Sequence, residues 1–331
     1  MPTVVVHNLE NARIILGNVT NEIQPLDVKD KTKLNFPSKT TVKPNDNKPI
    51  HIPIPCSNEL KEFSDIFSDL EYNNEYILEV YSNTAKLEHR FIPVDYFSVE
   101  QHRVTEKMRT ILIEWLVQIQ EEFQLCHETL YKAVIIKDLY LSRTTDCIKL
   151  EEYQLVGACS LWIASKYEEI YPPNLANFSS LCDNIYSKRR FMQMERDIMR
   201  TIDFQLYMPV PYTLTRVLNK IVDGNMALLT LARYICELTL VNFDCCQFAS
   251  SRVATSCFFI ALKMYEHDWS QKIQEFTGYS PFSLKPVIIK LNEILHESFQ
   301  NKKKTQIRLK YIHPVFFKVA QKSPIPTSAL F

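Results

Sequence analysis

Few residues in this chain stand where side chains do chemistry. His127-Glu128 opens the H-E-x-x-H pattern of a zinc-protease helix, but Tyr131 occupies the place of the second histidine and leaves the metal a ligand short. Phosphate-cradling loops need glycine for positive φ and close backbone approach, and the 331 residues hold only Gly17, Gly157, Gly224 and Gly278. The nine cysteines form no C-x-x-C pair. Cys159, Cys236 and Cys257 lie inside apolar runs and read as reduced core thiols, which excludes a disulfide framework or a paired thiolate site. No acidic metal cluster stands out, so the expectation is a protein without cofactor, metal or catalytic residue of its own.

Charge narrows the partners. Lys+Arg and Asp+Glu balance at 38 each, so no global field favours nucleic acid or an anionic membrane. The one basic run, Lys302-Lys303-Lys304 with Arg308 and Lys310, reads as a solvated loop after the last main helix. The amino terminus lacks the pattern of a signal peptide, and no apolar run approaches about 18 residues. A protein of the cytoplasm or nucleus is expected.

The elements available to present a binding surface are helices. Apolar content of 46% supports a sizeable core, and the shortage of glycine argues against turn-rich β folds, so the fold class is all-α. Residues 1–58 carry seven prolines and few large apolar clusters, which predicts a disordered tail. A short amphipathic helix with Tyr76, Val80 and Leu87 follows, then a connector over 93–104. Thr105 caps a strong helix in which Met108, Ile111, Leu112, Trp115, Ile119 and Phe123 recur at three- and four-residue steps. Further helices are expected near 129–141, 149–169, 176–182 and 188–202, and again near 212–222, 226–241, 250–266, 269–276 and 284–299.

The chain is organised around QLVGACSLWIASKYEE at 154–169. It is apolar or small on every side before Lys166, and Pro172-Pro173 stops it. Aligning 156–169 with 253–266 matches five of fourteen positions and keeps the apolar character, which supports two related five-helix bundles in tandem.

Ordered strings along the chain resemble the cyclin family, specifically the mitotic B-type cyclins and their type-three branch. These are MRTILIEWL at 108–116, HETLYKAV at 127–134, QLVG at 154–157, ASKYEE-IYPP at 164–173 and MERDIM at 194–199. LARYICELTL at 231–240, FTGYS at 276–280 and KYIHPVFFKVA at 310–320 continue the match. The resemblance implies an amino-terminal helix and connector at 59–104, a first cyclin box at 105–207, a second at 208–322 and a tail at 323–331. It implies a regulatory subunit that binds and activates a cyclin-dependent kinase in the nucleus, with the cytoplasm as a second compartment.

Residue by residue, the resemblance implies that Lys166 and Glu195 grip the kinase, with Ile163, Phe204, Leu206, Tyr76 and Val80 as apolar contacts around that grip. Without it, Lys166 and Glu195 read as ordinary surface charges. Arg109 and Asp138 are implied to form a partly buried structural ion pair between the first two helices of the box. Met108, Ile111, Leu112, Trp115 and Gln154 are implied to line a shallow groove for substrates and inhibitors bearing basic-x-leucine peptides, although helical spacing alone reads them as core. Two departures narrow that groove: Tyr153 stands where aliphatic residues are common, and Gln118 where an acid often attracts the peptide's basic residue. Arg13-x-x-Leu16 with Asn21 resembles a destruction box read by the anaphase-promoting ubiquitin ligase, with Lys29, Lys31 and Lys33 as nearby acceptors. The rival readings are a transcription regulator built on the same paired fold, which binds DNA, and a transcription-kinase cyclin.

Overall fold

A computed structural model describes residues 77–98, 104–301 and 305–331, and among them every regular element is helical. The expected helix containing Val80 is α1, Ile77–Leu87, continued by a 3-10 turn at Glu88–Phe91; Tyr76 and the tail lie outside the described residues. The first repeat comprises α2 (Glu106–Glu122), α3 (His127–Arg143), α4 (Tyr153–Glu168), α5 (Leu175–Leu181) and α6 (Lys188–Thr201). The second comprises α7 (Pro211–Ile221), α8 (Met226–Val241), α9 (Ser250–Met264), α10 (Gln271–Thr277) and α11 (Pro281–Gln300). The all-α fold of two tandem five-helix repeats is therefore present, and none of the helices is long and apolar enough to cross a membrane among the described residues.

Side-chain caps set many of the helix starts. Thr105 accepts from the Met108 amide at 3.2 Å, and Asn174, Ser187 and Asn225 do the same at α5, α6 and α8. Ser280 and Ser283 form a reciprocal capping box, which starts α11 at Pro281, before the expected 284. In the first repeat α4 packs on α2, α3, α5 and α6, and in the second α9 packs on α7, α8 and α11. The centre of α4 is enclosed all round, with Leu155 to Leu161 buried without a break. Gly157 permits that crossing: a Cβ there would lie 2.8 Å from a methyl of Leu112, which is itself fully buried on α2.

One further helix departs from the expected solvated loop. α12, Gln306–Ile312, follows α11 and packs back on α2 and α8, which takes Arg308 and Lys310 out of solvent-facing loop positions. Lys310 is buried because it pairs with Glu237 at 3.0 Å. Lys302 to Lys304 lie outside the described residues.

Segments before the first repeat lean on the second. Tyr81 of α1 stacks on Phe276 with ring centroids 4.8 Å apart and donates its hydroxyl to the Thr277 carbonyl at 3.2 Å. Glu88 accepts from the Ser251 amide and hydroxyl at 2.9 and 2.8 Å. Burial raises the Glu88 carboxyl above its ordinary range despite those bonds.

Candidate functional site

The charged tip of α4 carries the exposed cluster. Lys166, on the last turn, meets Glu195 of α6 in a direct ion pair, with side chains 35% and 26% exposed. The Lys166 ammonium also sits 3.6 Å from the Trp162 ring centroid. Half-exposed ion pairs add little stability, so nothing in the fold itself requires this one. Neighbouring segments expose apolar side chains: Phe204, in the loop after α6, is 66% exposed, and Val80 of α1, which shares a cleft with Glu168, is 60% exposed, while Leu206 is half-buried. Ile163 departs from the expected ring of surface contacts. It is 3% exposed and belongs to the core, because α4 is packed between α2, α3, α5 and α6. Sequence reading missed Tyr167, Ile170 and Tyr171, which extend the exposed apolar surface at the same tip. Their signal was the abrupt end of the buried helix just before Pro172-Pro173.

The loop after α6 holds its shape under strain. Asp203 and Phe204 both take positive φ, 54° and 55°, where non-glycine residues pay a steric cost. The Phe204 amide bonds the Met199 carbonyl at 2.9 Å and the Gln205 amide bonds Ile202 at 3.2 Å. Lys132 of α3, which sequence reading also passed over, donates to the Leu206 carbonyl at 2.9 Å and pairs with Glu168 at 2.6 Å. A lysine inside the apolar run Thr129 to Val134 was the available clue.

The stripe expected to form a peptide groove is closed. Met108, Leu112 and Trp115 are 3%, 0% and 1% exposed, and Gln118 and Tyr153 are buried beside them; only Ile111 and Gln154 reach solvent, and only in part. The core reading of the stripe is the one this conformation takes. Trp115 Nε1, Gln118 Oε1 and the Tyr153 hydroxyl are buried with no hydrogen-bond partner.

Arg109 and Asp138 meet between α2 and α3, buried more fully than expected, with side chains 1% and 2% exposed and a 2.8 Å contact. The guanidinium makes a second bond to the carboxylate at 3.2 Å, and reaches the second repeat through the Val241 carbonyl at 3.1 Å and Cys246 Sγ at 3.1 Å. Tyr96 donates to the same carboxylate at 2.6 Å, and Lys137 also contacts it directly. Burial alone would raise the Asp138 carboxyl, but the Arg109 and Lys137 charges outweigh it and hold the group well below the carboxylate range. Burial pushes the Lys137 ammonium down to about 8 against the pull of Asp138.

A second buried cluster joins the repeats. Glu237 of α8 receives Lys310 at 3.0 and 3.1 Å and the Tyr311 hydroxyl at 2.5 Å, while Lys310 also donates to Gln120 of α2 at 3.0 Å. His127 Nδ1 stands 3.3 Å from the same carboxylate. Burial opposes the Glu237 charge, yet Lys310, then His127 and Tyr311, bring the carboxyl down to about 2. Among the described residues no group of three or more histidine, cysteine or acidic side chains is placed to hold a metal ion. Arg13, Leu16 and Asn21 lie outside the described residues.

Comparison with known proteins accounts for the paired repeats. The cyclin N-terminal domain model matches residues 79–207 and the cyclin C-terminal domain model residues 209–325. The chain is 36% identical over 254 residues to the G2/mitotic-specific cyclin-B3 of Gallus gallus, covering 76% of this chain and 62% of that protein, less than two thirds of its length. It is 32% identical over 271 residues to the G2/mitotic-specific cyclin-B of Hydra viridissima, covering 78% of this chain and 68% of that one. A crystal structure of a viral cyclin from herpesvirus saimiri shares the fold at TM-score 0.54 and 18% identity, over 65% of this chain and 96% of the viral one. Two matched domains in the family's order, and relatives above 30% identity along most of the chain, establish that it belongs to the cyclin family, within the mitotic B-type branch.

Proposed function

We propose that the chain is the regulatory subunit of a cyclin-dependent protein kinase acting at G2/M, with the chemistry supplied by the kinase. The observation that carries this reading is the Lys166–Glu195 pair at the tip of α4, solvent-accessible and neighboured by segments that expose apolar side chains. An ammonium and a carboxylate side by side match the carbonyl acceptors and amide donors of a partner's backbone, and Phe204, Leu206 and Val80 supply apolar area around them. Tyr76 is proposed as a further contact. The bound surface holds the kinase's regulatory helix inward, which completes the lysine–glutamate pair that positions ATP, and reshapes the activation segment.

The boundaries drawn from the sequence assign regulation to the tail at 1–58. Arg13, Leu16 and Asn21 recruit the anaphase-promoting ubiquitin ligase, and destruction of the chain ends its activity in the nucleus. Substrates and inhibitors with basic-x-leucine peptides dock on the α2 seam after Tyr153 swings outward. The unpartnered Trp115 Nε1 and Gln118 Oε1 then receive backbone partners. The names of the B-type relatives support G2/M timing.

The test is a double substitution. Lys166→Ala with Glu195→Ala is expected to abolish co-purification of the kinase and its histone-phosphorylating activity while far-UV circular dichroism stays unchanged. A double variant that binds and activates its kinase like the wild type overturns the assignment.

A further inference from the structure

Lys132 is charged, buried and surrounded by groups that belong to the exposed surface. It projects from α3, whose neighbouring residues Thr129, Leu130, Tyr131, Ala133 and Val134 are all core. Its ammonium has three partners: the Glu168 carboxylate at 2.6 Å, the Leu206 carbonyl at 2.9 Å and the Tyr167 ring, whose centroid is 3.9 Å away. Two of those partners are on the last turn of α4, next to Lys166. The third is in the loop that displays Phe204. Lys132 is therefore the one group among the described residues bonded to both segments of the candidate docking surface.

The loop needs such an anchor. Its two consecutive residues with positive φ are not glycines, and a strained conformation of this kind persists only where the surroundings over-determine it. The hydrogen bonds of Asp203, Phe204 and Gln205 return to α6 and give the loop its local turn. The bond from Lys132 ties it instead to α3, at the wall of the 440 Å³ cleft that Lys132, Glu168 and Tyr207 help to line. Desolvating an ammonium is costly, and the cost is met here by partners that all lie on the presented face.

We infer that Lys132 is a positioning residue for kinase binding: it fixes the Phe204–Leu206 loop against the tip of α4, so that Phe204 and the Lys166–Glu195 pair are presented together in the free chain. The inference rests on the proposed function, because it takes that surface to be the kinase-facing one. A surface organised before contact loses less conformational freedom on binding, and loosening it lowers the fraction of chains competent to bind.

The test uses the full chain and its co-expressed kinase, with dissociation constants measured by calorimetry. Lys132→Met keeps the length of the side chain and removes its charge and donors. It is expected to weaken binding about tenfold, the scale of one or two charge-assisted bonds, while Lys132→Arg stays within about threefold of wild type because it keeps both. The discriminating measurement is a cycle with Phe204→Ala. If Lys132 acts through the loop, Lys132→Met adds less than about twofold once Phe204 is gone. An equal loss with and without Phe204, or binding by Lys132→Met at wild-type strength, overturns the inference, and a melting temperature lowered with affinity intact shows a structural role only and overturns it too. Lys166→Ala with Glu195→Ala, run alongside, separates the two readings: if that variant loses the kinase while Lys132→Met does not, the positioning role fails and the docking surface stands. If neither loses it, the surface itself is refuted.

Discussion

Replacing Lys310 by methionine isolates the lock between the repeats. The substitution preserves side-chain bulk but leaves Glu237, fully enclosed, facing Gln120, Tyr311 and a neutral His127. The magnitude follows from the carboxyl itself. Its ordinary value of 4.5 falls to about 2 in the fold, and at about 1.4 kcal/mol per pH unit that difference corresponds to roughly 3 kcal/mol of stabilisation of the charged form. Breaking a buried pair by removing one partner costs about 3–5 kcal/mol in general, so the two scales agree. The expected loss at pH 7 is therefore about 3 kcal/mol, a fall of roughly 6–12 °C in melting temperature for a body of this size.

The pH dependence of that loss carries the sign. A depressed carboxyl contributes stability that is present above its unfolded value, and the contribution disappears as pH falls from 4.5 toward 2. The gap between wild type and Lys310→Met must therefore narrow on acidification through that window. His127, whose imidazole burial and the Lys310 charge both push down, loses stability in wild type as pH drops below its ordinary 6.5; the variant lacks the Lys310 contribution and loses less, so this group narrows the gap on acidification as well. Urea unfolding of both proteins at pH 7 and pH 3.5 checks the expectation. A difference under about 1 kcal/mol at pH 7, or one that does not shrink at pH 3.5, refutes the charge-pair account. Glu237→Gln combined with Lys310→Met is expected to recover more than half of the loss, because no uncompensated charge remains.

Three further outcomes are expected. Gly157→Ala sets a methyl 2.8 Å from the buried Leu112 and should lower stability by about 1–2 kcal/mol in thermal melts, despite the better helix propensity of alanine. Tyr153→Leu replaces a buried ring at the start of α4 by the aliphatic type common there in similar chains, and calorimetric titration with a basic-x-leucine peptide should show about tenfold tighter binding than wild type; equal affinities count against a groove. Arg109→Met leaves Asp138 with Lys137, Tyr96 and the distant Cys246 thiol and removes the guanidinium bonds to Val241 and Cys246, so stability should fall by about 3 kcal/mol or more, and amide exchange should quicken at the end of α8.

How far the sequence carried the fold depended on the range of the signal. Helices with local periodicity and caps were readable: the α2 stripe behind Thr105 and the all-apolar α4 are properties of neighbouring residues. α12 was not, because two turns after a basic run are too short for the Ile307–Tyr311 spacing to stand out, and what makes Lys310 a core residue is Glu237, 73 positions away. Tyr96 and Cys246 escaped notice around Arg109 and Asp138 for the same reason, standing 42 residues from Asp138 and 137 from Arg109, whereas Lys137 adjoins Asp138 and was passed over as an ordinary helix charge. At the proposed docking surface the pair itself was named on the strength of resemblance, whereas the partners of Lys132, Glu168 and Leu206, lie far from it in the chain. The α2 seam shows the converse. Spacing alone allows either a core stripe or an open groove, and the choice is made by packing such as that of Leu112 against Gly157.

The partnership of Tyr81 with Thr277 has a consequence for the order in which the molecule can be made. The two residues are 196 positions apart, and Glu88 waits on Ser251 across 163. A ribosome adding about 5–20 residues per second emits α1 roughly 10–40 s before the surface that receives it exists. The first repeat can close around α4 as it emerges, because its contacts are local, while the helix ahead of it stays undocked until nearly the whole second repeat has followed. A transcript cut short before residue 277 therefore yields a bundle with its leading helix unmoored, and the ring of Tyr81 offered to chaperones in place of Phe276.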